Sequence, residues 1–146
     1  MTMVLPNLYL GNELASKTIG RDVGLVVNCT SNLPFHGDPT TQTQMRVPVE
    51  DNGDDSQQDA MFAHLTAQPS SVIEEIHSTL LRGVDVLVHC RAGQQRSATV
   101  VAAYVMSLIE CSAADAIEFV RSRKRDAFLG GHVNFHRALE KFEKFV

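Results

Sequence analysis

The hydrophobic residues of this chain fall into short apolar runs separated by longer segments with helical spacing. The runs are rich in Val and Leu and are bounded by Gly, Pro, Asn or Asp, a pattern typical of buried strands. They predict strands at residues 4–5, 8–10, 24–28, 44–49 and 84–89. The first two flank a Pro-Asn turn, and the last is the most apolar and is expected to be central.

The segments between and after these strands predict helices. Asn12 is suited to cap a short helix that Gly20 ends. An acidic loop over 50–58 precedes a helix that begins at about Asp59 and breaks near Pro69. Pro69 is suited to the first position of the next helix, which runs to residue 81. The remaining predicted helices are residues 97–110, a helix capped by Ser112, and residues 133–145.

Strands that alternate with helices predict an α/β fold, with a single central, mostly parallel sheet of about five strands and helices on both faces. A length of 146 residues and a hydrophobic content of 44% suit one domain over residues 1–146 with one core. Active sites of such sheets lie beyond the carboxyl ends of the strands. Cys90 directly follows the predicted central strand and therefore occupies such a position.

Residues 89–97, His-Cys-Arg-Ala-Gly-Gln-Gln-Arg-Ser, carry the strongest functional signal. They join an apolar strand to a helix N-terminus, where loop amides and the helix dipole favour a bound anion. A thiol in that field favours its thiolate form, which is the nucleophile. Arg96 can present a planar fork to two phosphoryl oxygens. The pattern therefore predicts covalent phosphate chemistry on Cys90.

This nine-residue run resembles the active-site loop of the cysteine-dependent protein phosphatases, His-Cys-x5-Arg-Ser/Thr. Its Arg-Ser ending with no following glycine is most similar to the dual-specificity branch. Three further segments resemble that branch in chain order, namely residues 5–11, 26–30 and 47–52. The resemblance implies a cysteine-phosphatase-like fold, a dual-specificity catalytic domain over 1–146, and a reaction that needs no metal and no cofactor.

The resemblance also implies a role for each loop residue. Cys90 is the expected nucleophile and Arg96 the expected phosphate clamp. Ser97 is expected to donate to the Cys90 sulfur as that sulfur leaves phosphorus, to cap the helix, or to do both. His89 is expected either to order the loop and tune the thiolate or to be an ordinary core histidine. The residues expected to line the phosphate are Arg91, Ala92, Gly93, Gln94, Gln95 and Arg96.

A general acid must supply a proton to the departing alcohol or phenol. Residues 47–52 are similar to the general-acid loop of the family, which favours Asp51. The neighbouring carboxylates Asp54, Asp55 and Asp59 remain rivals at this stage. The redox role of Cys29 is likewise open, because some relatives keep a second cysteine there that traps the oxidised nucleophile, whereas most buried strand cysteines are inert.

The formal net charge of −4 argues against nucleic acid as a partner. The acids of residues 50–59 also disfavour a crowded polyanion such as a multiply phosphorylated inositol lipid. No apolar stretch is long enough to span a bilayer, and the N-terminus lacks a signal-peptide layout. The three cysteines are scattered and predict neither a disulfide framework nor a metal site. We therefore expect a cytoplasmic protein, with the nucleus as the alternative, without a membrane partner and with its oligomeric state open.

The function predicted from these features is hydrolysis of phosphotyrosine and phosphoserine or phosphothreonine in phosphoprotein substrates. Two alternatives remain at this stage. The same chemistry could act on RNA 5′ phosphates or phosphoinositides, or the chain could be a phosphate-binding pseudophosphatase. Cys90, Arg96 and Asp51 together argue against the pseudophosphatase.

Overall fold

Five short strands form the sheet, and their side chains alternate between two apolar faces. The structure, a computed structural model, describes all 146 residues. The strands are β1 (Thr2–Leu5), β2 (Leu8–Gly11), β3 (Leu25–Asn28), β4 (Thr43–Arg46) and β5 (Val86–His89). Their spatial order is β1-β2-β5-β3-β4, and only the β1–β2 pair is antiparallel. The predicted α/β fold with a mostly parallel sheet of about five strands is confirmed.

Six α-helices surround the sheet. They are α1 (Glu13–Lys17), α2 (Asp55–Thr66), α3 (Val72–Leu81), α4 (Arg96–Ile109), α5 (Ala113–Arg123) and α6 (His136–Phe145), with short 3₁₀ turns at Ile19–Arg21 and Leu129–Gly131. No single helix is long and apolar enough to cross a bilayer, and α4 and α5 reach that length and hydropathy only as a pair bent by 117°.

The two faces of the sheet carry unequal cores. On β5, Val86 and Val88 belong to a main cluster of 33 buried residues, whereas Leu87 points the other way into a cluster of four. Helices α2–α6 all contribute to the main cluster, and α1 contributes Ala15 to the small one. Helices therefore lie on both faces, as predicted, but most of the apolar burial is on one.

The starts of α2 and α3 differ from the prediction. Helix α2 begins at Asp55 rather than at about Asp59, because Gly53 turns the chain with a φ of 78° and Asp54 is extended at the N-cap position. Helix α3 begins after Ser71, which accepts from the Glu74 N–H while the Glu74 carboxylate accepts from the Ser71 N–H. This capping box satisfies two free donors, so Pro69 lies outside the helix instead of at its first position.

Other element ends also shift. Strand β4 ends at Arg46 and not at residue 49, since Pro48 has no N–H with which to continue the ladder. Helix α6 begins at His136 instead of residue 133. Gly20 lies inside a 3₁₀ turn instead of ending α1. The predicted caps are confirmed: Asn12 accepts from the Ala15 N–H at 3.0 Å, and Ser112 accepts from the Asp115 N–H at 3.1 Å.

Candidate active site

The loop between β5 and α4, residues 90–95 and here called the phosphate loop, curls around the Cys90 sulfur. The Gly93 N–H donates to Cys90 Sγ at 3.2 Å, and Ser97 Oγ lies 3.1 Å from the same sulfur. Cys90 is only 3% exposed, whereas Arg91 and Ala92 above it are exposed. The sulfur therefore lies at the base of a loop whose crest faces solvent.

The β2–α1 corner supports this loop from beneath. Gly93 has a φ of 72°, and a Cβ there would lie 2.7 Å from the Gly11 carbonyl oxygen, so the two backbones meet closely. The Glu13 N–H donates to the Arg91 carbonyl at 3.0 Å, and the Glu13 carboxylate accepts from the Arg91 guanidinium at 3.3 Å. Both the carbonyl and the guanidinium of Arg91 are thus held by Glu13.

Arg96 opens α4 and reaches across to the chain after β4. One terminal nitrogen donates to the Val49 carbonyl at 3.2 Å, and the buried Nε has no protein partner. A guanidinium with an unpaired buried N–H is suited to an oxyanion, because its donors form a planar fork. The bond to Val49 also draws the segment before Asp51 toward the phosphate loop.

Ser97 lies in the first turn of α4, whose N-cap position is Gln95. Ser97 is therefore not the N-cap residue, and its fully buried hydroxyl is directed at Cys90 instead. Of the two roles that the sequence left open for Ser97, the geometry favours donation to the sulfur.

The two glutamines of the loop are both held by residues 126–134. The Gln94 carbonyl accepts from the Phe128 N–H at 2.8 Å, and its side chain contacts Asp126. The Gln95 amide donates to the His132 carbonyl at 2.8 Å and accepts from the Asn134 N–H at 3.0 Å. Only the backbone of Gln95 can therefore face an anion.

His89 is fully buried at the end of β5. Its Nδ1 lies 3.4 Å from the Cys90 carbonyl oxygen, and its Nε2 has no partner. Burial lowers the pKa of His89 from 6.5 to about 4, so the ring is neutral near pH 7. A neutral ring beside the nucleophile's carbonyl orders the backbone without adding charge.

Cys29 adjoins Cys90 across the sheet. Its N–H donates to the His89 carbonyl at 2.8 Å, one step beyond the paired residues Asn28 and His89. Neighbouring strands lie about 4.8 Å apart, and this register places Cys29 beside Cys90 at the same end of the sheet. Burial raises the pKa of Cys29, as does the charge of Cys90, while Arg96 lowers it.

Asp51 is exposed on the loop between β4 and α2, and its Oδ1 accepts from the Asn134 side-chain amide at 2.6 Å. Two rival carboxylates face α6 instead: Asp55 pairs with Arg137, and Asp59 lies 3.6 Å from Lys141. Asp54 stands at the N-cap position of α2 without a side-chain capping bond. Among the candidates, only Asp51 is linked through a side chain to residues held by the phosphate loop.

The ion pairs of α2 with α6 correct the expected acidic loop. Asp55 and Asp59 lie in α2 and have cationic partners on α6, so less negative charge faces the site than the sequence suggested. Two of the four cations in residues 121–125 are also paired, since Lys124 lies 2.5 Å from Asp126 and Arg121 lies 3.7 Å from Glu118. No three His, Cys, Asp or Glu side chains form a group suited to a metal ion.

Sequence reasoning missed two residues at this site. Asn134 contacts Asp51, and Gln58 donates to the Asn134 carbonyl while accepting from the Ala138 N–H at 3.0 Å. Gln58 is 5% exposed although its surroundings in the sequence are polar. No local spacing identifies either residue, because both contacts join segments far apart in the chain.

Comparison with known proteins assigns the family. The family described as dual specificity phosphatase, catalytic domain, matches residues 8–145. The chain belongs to this family. It is therefore a protein phosphatase catalytic domain, and the resemblance noted from residues 89–97 is confirmed.

Several dual-specificity phosphatase relatives match nearly the whole chain. Protein 123R of Invertebrate iridescent virus 6, which is named as a tyrosine phosphatase, is 34% identical to this chain over 99% of this chain and 93% of its own length. Human dual specificity protein phosphatase 22 is 32% identical over 99% of this chain and 74% of its own. The match to human dual specificity protein phosphatase 8 spans only 23% of that longer protein.

Solved structures agree with the family and the fold. Human DUSP28 superposes with a TM-score of 0.81 at 29% identity and covers 99% of this chain and 96% of its own. DUSP15 superposes with a TM-score of 0.76 at 30% identity, covering 98% and 86%.

Proposed function

We propose that this chain hydrolyses phosphotyrosine and phosphoserine or phosphothreonine in proteins through a cysteinyl-phosphate intermediate on Cys90. The observation that carries the proposal is the pair of groups on Cys90 Sγ, the Gly93 N–H at 3.2 Å and the Ser97 hydroxyl at 3.1 Å. Both can donate to the sulfur and stabilise negative charge on it. Arg96, with an unpaired buried Nε, supplies the cation for the phosphoryl oxygens.

In the first step the Cys90 thiolate attacks phosphorus. A sulfur–phosphorus bond forms as the bond from phosphorus to the ester oxygen breaks, and Asp51 gives its proton to the departing oxygen. Arg96 and the loop amides hold the three remaining phosphoryl oxygens while charge builds on them. The protein product leaves with a free hydroxyl.

In the second step water attacks the phosphorus of the intermediate. The Asp51 carboxylate takes a proton from that water, the sulfur–phosphorus bond breaks, and inorganic phosphate is released. Ser97 lowers the energy of the departing thiolate by donating a hydrogen bond from its hydroxyl to the sulfur. No redox agent is consumed, and Cys90 returns to its starting state.

The positions of both tyrosines favour a shallow site that accepts two kinds of phosphoester. Tyr104 lies in α4 with its hydroxyl 3.0 Å from His77 of α3, and Tyr9 packs against the small core on the α1 face. Neither forms an aromatic wall over Cys90, and the chain has no Trp. In this proposal a short phosphothreonine reaches the sulfur as well as a longer phosphotyrosine does.

The substrate proposal is tested by measuring kcat/KM on four matched substrates: a phosphotyrosyl peptide, a phosphothreonyl peptide, a phosphoinositide and a 5′-phosphorylated RNA. We expect turnover of both peptides, faster for phosphotyrosine because phenol is the better leaving group. Turnover confined to the lipid or the RNA would replace the proposed substrate class. Peptide binding without any turnover would establish a pseudophosphatase.

The general-acid assignment is tested with a series of aryl phosphates whose leaving groups range from good to poor. Asp51→Asn should slow the poor leaving groups by about 10²-fold or more and the good ones little, because only the poor ones need the proton. Asp54→Asn and Asp59→Asn are matched controls that should keep the wild-type dependence. The same dependence on leaving group in Asp51→Asn and wild type would remove Asp51 from this role.

We also propose the cellular compartment in which the protein is located. A catalytic thiol stays usable in a reducing compartment, so we place the chain in the cytoplasm, with the nucleus as the alternative. Localisation of the tagged full chain by microscopy tests this directly, and accumulation in an oxidising compartment would contradict it.

A further inference from the structure

The phosphate loop and the Asp51 loop are joined by side chains in addition to the Arg96–Val49 contact. Gln95, only 9% exposed, uses both ends of its amide on one neighbouring segment. Its Nε2 donates to the His132 carbonyl at 2.8 Å, and its Oε1 accepts from the Asn134 N–H at 3.0 Å. The residue that immediately precedes Arg96 therefore fixes the backbone of residues 132–134.

Asn134 is held on its other side by Gln58. The Gln58 amide donates to the Asn134 carbonyl and accepts from the Ala138 N–H at 3.0 Å, which ties Asn134 to the first turn of α6. Both backbone polar groups of Asn134 are thus occupied by glutamine side chains. With the backbone of Asn134 held in this way, its Nδ2 donates to Asp51 Oδ1 at 2.6 Å.

An exposed carboxylate on a loop otherwise rotates among several conformers, and each misplacement lowers the fraction of encounters in which proton transfer can occur. The bond from Asn134 holds Oδ1, which leaves Oδ2 for the leaving group. The Asn134 amide has no titratable proton, so it can orient Asp51 and cannot replace it.

We propose that Gln95 and Asn134 are positioning residues that hold the Asp51 carboxyl over the phosphate loop. The inference rests on the proposed role of Asp51 as general acid. Because Gln95 belongs to the phosphate loop itself, the element that binds the phosphoryl group also sets the position of the acid. Gln95 therefore acts through Asn134, without contact to the substrate.

The test measures kcat/KM of the full chain over the aryl phosphate series for Gln95→Ala and Asn134→Ala. Both variants should lose about tenfold or more with poor leaving groups, part of the 10²–10⁴-fold contribution of a general acid, and less than about threefold with good ones. The good leaving groups report whether the fold and the Cys90 loop are intact. Asn32→Ala, an exposed asparagine between β3 and β4 that lies outside both loops and makes no side-chain hydrogen bond, should keep the wild-type dependence on leaving group.

A second measurement repeats both substitutions in the Asp51→Asn background. If the residues act only through Asp51, they should cause no further loss there with poor leaving groups. Equal losses across the series, or full additivity with Asp51→Asn, would make them ordinary structural residues and overturn the inference. If Asp51→Asn itself leaves the dependence unchanged, the general-acid assignment fails first, and the two failures are thereby distinguished.

Discussion

Gly93→Ala tests whether the β2–α1 corner shapes the phosphate loop. Gly93 has a φ of 72°, and an added Cβ would lie 2.7 Å from the Gly11 carbonyl oxygen, 2.9 Å from its carbonyl carbon and 3.2 Å from the Asn12 nitrogen. All three neighbours are backbone atoms, so no side chain can rotate away. The Gly93 N–H also donates to Cys90 Sγ, and any shift that relieves the clash therefore moves this donor.

The magnitude follows from two separate costs. A left-handed backbone costs a residue with a Cβ about 1–2 kcal/mol, and overpacking against fixed atoms adds about 1–3 kcal/mol. Gly83 provides the matched control, because its φ is 71° and no atom lies within 4 Å of its added Cβ. Gly83→Ala should therefore cost about 1–2 kcal/mol and Gly93→Ala about 2–5 kcal/mol, by addition of the same two ranges.

The assay is thermal unfolding paired with kcat/KM on a phosphotyrosyl peptide. At about 2–4 °C per kcal/mol for a chain of this size, Gly83→Ala should lower Tm by about 2–8 °C and Gly93→Ala by about 4–20 °C. Only Gly93→Ala should also lose activity at a temperature where both variants are folded. Equal losses of Tm together with full activity of Gly93→Ala would refute the argument that this corner sets the loop.

Two further predictions concern groups at the same end of the sheet. Burial holds the pKa of His89 at about 4 instead of 6.5, so between these values the unfolded chain binds a proton that the folded chain does not. The free energy of unfolding therefore falls as the pH drops through that window. Urea unfolding should show a loss of up to about 3 kcal/mol by about pH 4, and His89→Asn should remove this loss. An unchanged pH dependence in that variant would assign the loss to other groups. Peroxide should oxidise Cys90 to the sulfenic acid, which condenses with the Cys29 thiol and releases water. Peptide mapping should then find a Cys29–Cys90 disulfide in the wild type. Peroxide-treated Cys29→Ser should lose activity that dithiothreitol does not restore. Reversible inactivation of that variant would exclude the pairing.

The local parts of the fold could be predicted because their signals are local. The apolar strand before His89, the glycine in the loop and the apolar helix after Arg96 are contiguous in the sequence, and the structure brings Cys90, Gly93 and Ser97 together. The caps at Asn12 and Ser112 were predictable for the same reason, since capping needs only the neighbouring turn.

The start of α2 could not be read from hydrophobic periodicity. Residues 55–58 are all polar, and Gln58 is buried only because α6 and Asn134 supply partners for its amide. The neutralisation of Asp55 and Asp59 by α6 is equally non-local. Periodicity reports which face of an element is apolar and carries no information on which distant polar residue it meets.

The bracing of Asp51 was missed for the same reason. The sequence predicts only that Gln95, which directly precedes the loop arginine, lines the phosphate. In the structure its side chain turns to residues 132–134. Its partner Asn134 lies close to Asp51 only after α2 and α6 have packed together.

The central claim is that a phosphoryl group is carried on Cys90 during turnover. The most direct measurement is rapid acid quenching of the wild-type protein during turnover of a phosphotyrosyl peptide, followed by intact mass analysis and peptide mapping. We expect the protein to gain the mass of one phosphoryl group, located on Cys90, and Cys90→Ser to give neither this adduct nor turnover. Steady turnover by Cys90→Ser, or a wild-type phosphoryl adduct located on another residue, would contradict it.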